Sequence, residues 1–132
     1  MVWLFDSPFA RYAWWPYLVD LAFVLIFVLI GRSSHGESDG LAGIGLTLWP
    51  FAVGTIIGWL GLVGFRWANA SIIGGGLVWV ASVFIGMLLR AQTGQGIAVS
   101  FVIVASIFLG LFLIGWRAVV RAVVRRRARG RA

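Results

Sequence analysis

The 132-residue chain is 61% hydrophobic and 11% charged, with a formal net charge of +7. Soluble domains are roughly a quarter charged, so a soluble globular fold is excluded, and a mean hydropathy of +1.01 excludes a disordered chain. Cysteine is absent and all eleven basic residues are arginine, which rules out disulfides, thiolate-ligated metal centres and lysine Schiff-base chemistry, while the length leaves room for a single domain spanning residues 1–132.

A hydrocarbon core about 30 Å thick takes about 20 mostly apolar residues per helical crossing. Four stretches meet this, over 16–31, 41–64, 72–89 and 97–116, joined by the short polar segments GRSSHGESDG, RWANAS and RAQTGQG. Short links make neighbours antiparallel. The pattern therefore predicts an all-α, polytopic four-helix membrane bundle made of two helical hairpins.

Ahead of the first span, Asp6 stands where a secretory signal would carry basic residues, so the N-terminal segment is expected to be retained rather than cleaved. Ser7-Pro8 reads as an N-cap followed by proline at the first helical position, predicting a short interfacial helix from Phe9 to Trp15. Trp3, Trp14, Trp15 and Tyr17 suit an aromatic belt. Pro16 then opens the first span, which contains one carboxylate, Asp20. An ionisable group within a span is by default a functional candidate, because an unpaired charge there costs at least about 2.5–3.5 kcal/mol. Two readings of Asp20 stay open: a proton or cation site, or a structural pair with Arg66 at the same end of the second helix.

The first span ends in Arg32, Ser33, Ser34 and His35, a polar cluster right after a helix end. With Arg90 closing the third span, two guanidinium forks and hydroxyl donors would suit a carboxylate or phosphate. The competing reading is snorkelling side chains that end their spans at the head groups. His35 with Glu37 and Asp39 is a sparse metal-ligand set, and neither a metal nor a cofactor is expected.

In the second span, Pro50 removes the donor that would pair with the carbonyl of Leu46, predicting a helix kink or, alternatively, a helix that starts only at Pro50. Gly54 and Gly58, Ser82 and Gly86, and Ser106 and Gly110 are small-xxx-small pairs, which serve close packing within the chain or a homo-oligomer seam. Gly74-Gly75-Gly76 reads as a loosened start of the third helix. The segments FVLIGRSSHG and GMLLRAQTGQG echo one another in ending a helix with arginine, then hydroxyl residues and glycine. That echo suggests that Arg32 and Arg90 are neighbours.

Beyond the fourth span, Arg117, Arg121 and Arg125 recur every fourth residue and lead into Arg126 and Arg127. The basic tail 117–132 is read as an amphipathic helical extension whose arginines meet anionic lipid head groups. Nucleic acid is the rival partner for such a run and is not expected here, because a basic flank is the usual topology signal of a spanning helix. Arg11, Arg66, Arg117 and the tail arginines fall on one side of the membrane, against Arg32 and Arg90 on the other. Both termini are thus expected to be cytoplasmic, in a bacterial plasma membrane.

Gly31-Arg32-Ser33-Ser34-His35, Trp49-Pro50-Phe51, Gly86-Met87-Leu88-Leu89-Arg90, Ser100 to Ala105 and Gly115-Trp116-Arg117 together resemble the domain of unknown function 3054 family, small integral membrane proteins of actinobacteria and some archaea. The resemblance runs from about Asp20 to Arg117. It implies a four-helix membrane protein and brings no activity with it.

Function is narrowed by what the residues permit. No Ser–His–Asp arrangement, paired intramembrane carboxylates or cofactor fingerprint occurs, and Asp20 and Arg32 lie about 18 Å apart along one helix, so an enzyme is not expected. Two expectations remain. One is a small transporter or channel for an anion or polar solute, with Asp20 coupling a proton. The other is an accessory or scaffold subunit of an envelope complex, acting as a parallel homo-oligomer or beside a membrane partner.

Overall fold

The computed structural model describes residues 13–34 and 40–130. Four helices account for most of them: α1 (Trp15–Ser34), α2 (Gly40–Phe65), α3 (Ile72–Gln92) and α4 (Val99–Gly130). Among the described residues there is no strand. All four helices are long and apolar enough to cross a membrane. The interfacial helix expected from Phe9 lies largely outside the described residues, as do His35, Glu37 and Asp39.

Each helix packs against its sequence neighbours, and α1 also meets α4, closing a ring in which α2 with α3 is the densest seam and α1 with α4 the sparsest. The α2–α3 seam is dense because its side chains are small. A Cβ on Gly54 would lie 2.7 Å from the carbonyl oxygen of Ala81, and one on Gly58 would lie 2.9 Å from the Cα of Val78. The backbones touch there, and the hydroxyls of Thr55 and Ser82 share a hydrogen bond of 2.8 Å across the contact. Gly86 leaves room for the ring of Phe51, and Gly110 for that of Trp79, whose Nε1 donates to the carbonyl of Ser106 at 2.8 Å. The small-residue pairs are therefore used within the chain.

The core is a file of apolar side chains that includes Val24, Phe27, Phe51, Val78, Leu109 and Leu113. At its centre Phe27 meets Phe51, Phe108 and Phe101 at centroid distances of 5.3, 5.5 and 6.0 Å. Outside it, Leu41, Phe84, Leu111 and Ile73 are all more than 60% exposed. Large apolar side chains on every outward face suit a lipid surround rather than water.

Helix ends follow their local chemistry. Pro16 occupies the second residue of α1, within the first turn, where a missing N–H costs no helical bond. Ser71 caps α3, its hydroxyl oxygen accepting from the N–H of Gly74 at 3.0 Å. The N–H of Trp67 bonds to the carbonyl of Leu62 and that of Arg66 to Val63, the Schellman arrangement that ends a helix through a left-handed residue. That residue is Arg66, with φ 58°, where glycine is the usual choice. Pro50 lies inside α2. The helix thus runs through the proline and does not begin there, because the turn before it keeps its other hydrogen bonds and is packed by neighbours.

Candidate functional site

Polar chemistry gathers at the two ends of the ring. At the end carrying the start of α1, Asp20 is 0% exposed and so is Arg117 of α4. The guanidinium engages the carboxylate with two parallel bonds, Nη1 to Oδ1 at 2.7 Å and Nη2 to Oδ2 at 2.8 Å. Each carboxylate oxygen accepts once more, Oδ1 from Trp116 Nε1 at 2.9 Å and Oδ2 from Trp59 Nε1 at 3.0 Å. Two further Arg117 donors reach the backbone, Nε to the carbonyl of Asn69 and Nη1 also to that of Leu113. A bidentate, fully hydrogen-bonded pair is the form in which two charges survive burial.

Other residues make this arrangement possible. Asn69, in the α2–α3 connection, is itself buried; its amide donates to the carbonyl of Ala13 and its Oδ1 accepts from Tyr17. A Cβ on Gly75 would lie 2.7 Å from Cδ of Arg117. The glycine run at the start of α3 is therefore not a loosened helix: its middle residue makes the space into which the arginine side chain folds.

Two expectations are corrected here. Arg117 does not reach lipid head groups, because α4 is still flanked by α3 at that level. One turn further, about 6 Å along the axis, Arg121 is exposed, as are Arg125, Arg126 and Arg127. Arg66 is not the partner of Asp20, since it terminates α2 in the left-handed conformation and is exposed.

At the opposite end Arg32 and Arg90 line one cavity of about 430 Å³. All four helices contribute to its wall, through Phe27 and Gly31 of α1, Leu46 and Thr47 of α2, Arg90 of α3 and Phe101 of α4, with Gln95 and Gly96 from the α3–α4 connection. Nη1 of Arg32 donates to Thr47 Oγ1 at 2.9 Å. Arg90 donates to Gln95 Oε1 at 3.1 Å and to the carbonyls of Gln95 and Gly96, and its guanidinium carbon stands 4.5 Å above the ring of Phe101. Among the described residues no carboxylate lines this space. Leu46, whose carbonyl loses its usual helical donor to Pro50, is part of the wall.

A model of the family described as Protein of unknown function (DUF3054) matches residues 17–120. The chain belongs to this family. No curated protein and no solved structure matches it. The match in this DUF3054 chain takes in both polar ends, from Tyr17 through Asp20 and the two cavity arginines to Arg117, and four apolar helices indicate a multi-pass membrane protein.

Of the expected site residues, the fold brings Arg32 and Arg90 together and sets Asp20 apart from them at the other end. Ser33 and Ser34 close α1, and His35 lies outside the described residues. Sequence reasoning missed Arg117, Trp59, Trp116, Asn69 and Tyr17 as the surroundings of Asp20. One signal was available: Trp116-Arg117 marks the end of the fourth span at the same membrane level as Asp20, a position as near to the carboxylate as Arg66.

Proposed function

We propose that this DUF3054 protein is a small transporter of a bacterial plasma membrane that takes an anionic or polar solute into the cavity between Arg32 and Arg90. The supporting observation is that two arginines from helix ends 58 residues apart in sequence line the same space, with Thr47 and Gln95 as further hydrogen-bonding groups. Guanidinium pairs suit carboxylate or phosphate through forked hydrogen bonds, and charges placed near a span face protein or water rather than lipid. A cavity walled by all four helices changes its exposure when the helices tilt, as alternating access requires.

Asp20 is assigned a structural part in this reading. Both of its oxygens already accept two hydrogen bonds each, from Arg117 and two tryptophans. Its role is to fasten α1 to α4 at one end while the other end adapts to the solute.

The test is uptake by proteoliposomes holding the full chain, with radiolabelled phosphate, sulfate, glycerol 3-phosphate and small carboxylates as the panel. Arg32→Gln and Arg90→Gln are each expected to lower uptake of the accepted anion about tenfold, the value of one charged hydrogen bond. Uptake that both variants leave unchanged overturns the proposal.

A further inference from the structure

Beside the arginine cavity lies a second one of about 370 Å³, running between α1 and α4 and walled by Ile30, Ser100, Val104 and Phe108. The two spaces share Phe27, Gly31, Ala98 and Phe101 as lining residues. They are therefore adjoining compartments with different chemistry: the first presents two guanidinium groups, Thr47 and Gln95, the second almost only carbon. At their junction stand small residues, Gly31 and Ala98. A Cβ on Gly31 would meet no described atom within 4 Å.

The second compartment faces the bilayer. Ile30 is 51% and Val104 60% exposed, and the α1–α4 seam in which it sits is the sparsest of the four. Toward the other end that seam is closed by Phe23 on Phe112, Trp15 on Trp116 and the Asp20–Arg117 pair. The helices are thus fastened at one end and grooved at the other. Residues 100 to 108 of α4 border the groove over about 12 Å of helix, which seats part of a hydrocarbon chain.

We infer that the ligand of the arginine cavity is an anionic single-chain lipid, with its phosphate or carboxylate between Arg32 and Arg90 and its acyl chain in the α1–α4 groove. This rests on the proposed anion site and deepens it. A free solute would leave the apolar compartment without a use, whereas an amphiphile fills both, and it can slide in sideways from the membrane between α1 and α4 without crossing the bundle.

The experiment uses native mass spectrometry of the full chain in a neutral detergent with three probes: oleoyl lysophosphatidic acid, glycerol 3-phosphate, which is its head without the tail, and monoolein, which is the tail without the charge. Lysophosphatidic acid is expected to bind at least about tenfold more tightly than either. Val104→Trp, which fills the groove from an exposed position, is expected to weaken lysophosphatidic acid about tenfold and leave glycerol 3-phosphate unchanged; Ile30→Trp does the same from the opposite wall. Arg32→Gln and Arg90→Gln are expected to weaken both phosphates. Equal binding of lysophosphatidic acid and glycerol 3-phosphate overturns the lipid assignment and leaves the anion site standing. Monoolein binding as tightly as lysophosphatidic acid, or phosphate binding indifferent to both arginine variants, overturns the anion site and the lipid with it.

Discussion

The two ends of the bundle use the same side-chain types to opposite effect. At one end Arg117 is folded against Asp20, whose oxygens also accept from two tryptophan N–H groups, and both charged residues are fully buried. At the other, Arg32 and Arg90 also sit among aromatic rings, yet they border a cavity of about 430 Å³. The difference lies in the partner and in the neighbouring helix. Asp20 supplies a planar carboxylate that matches the arginine fork, and Gly75 removes the side chain that would hold Arg117 away. Among the described residues the cavity arginines bond instead to a hydroxyl, an amide and backbone carbonyls. Arginine thus closes the bundle at one end against a carboxylate from another helix and lines a cavity at the other.

The largest expected effect comes from breaking the closed end. Asp20→Ala or Arg117→Ala leaves one buried charge alone and is expected to cost about 3–5 kcal/mol, read as a loss of folded protein in denaturant titration in detergent. Replacing both together by apolar residues, as in Asp20→Leu with Arg117→Met, should recover most of that loss, since a buried pair contributes little beyond an apolar contact of similar volume. A double variant as unstable as the single ones would show that the pair shapes the fold in some further way.

Next in size is Gly75→Ala, whose methyl group meets Cδ of Arg117. The expected cost is about 1–3 kcal/mol, as for overfilling a packed site, and it should shrink when Arg117 is also shortened to alanine, because the two residues compete for one space. Thermal unfolding of the four variants in a cycle reads this coupling. Additive costs would mean that Gly75 matters for α3 alone.

The open end should respond much less in stability. Arg32→Gln removes the hydrogen bond to Thr47, worth about 1 kcal/mol in the same titration, while its effect on ligand retention is expected to be larger. A stability loss as great as that of Asp20→Ala would make the cavity arginines a second clamp and erase the contrast between the ends. Smallest of all, Arg66→Gly relieves a left-handed residue and should raise stability by less than about 1 kcal/mol, and Arg121→Gln, exposed beyond the bundle, should change it by under about 0.5 kcal/mol. Both are checked by the midpoint of detergent-phase unfolding.

Much of the fold could be read in order along the chain. The four helices lie where apolar length places them, with ends differing by a few residues, and the fourth continues past Trp116 to Gly130. The small-residue spacing of Gly54, Gly58, Ser82 and Gly86 signalled close helix contact, although spacing could not say whether the contact lay within one chain or between two. The likeness between the segments around Arg32 and Arg90 pointed to their meeting. The partner of Asp20 was not legible in the same way. Periodicity put Arg117 in line with Arg121 and Arg125 as one basic stripe, and nothing in that repeat tells where the neighbouring helices stop.

Hydrophobic length, arginine spacing and the absence of cysteine are properties of single segments, and they suffice to determine four spans, a basic tail and a short set of polar candidates. Which arginine is buried depends on how far α3 extends alongside α4 and on one glycine across the interface, and whether a cavity adjoins a groove depends on where α1 and α4 part. Those are relations between segments distant in sequence. They arise only when the helices pack, because burial and the reach of a hydrogen bond are set by neighbours in space.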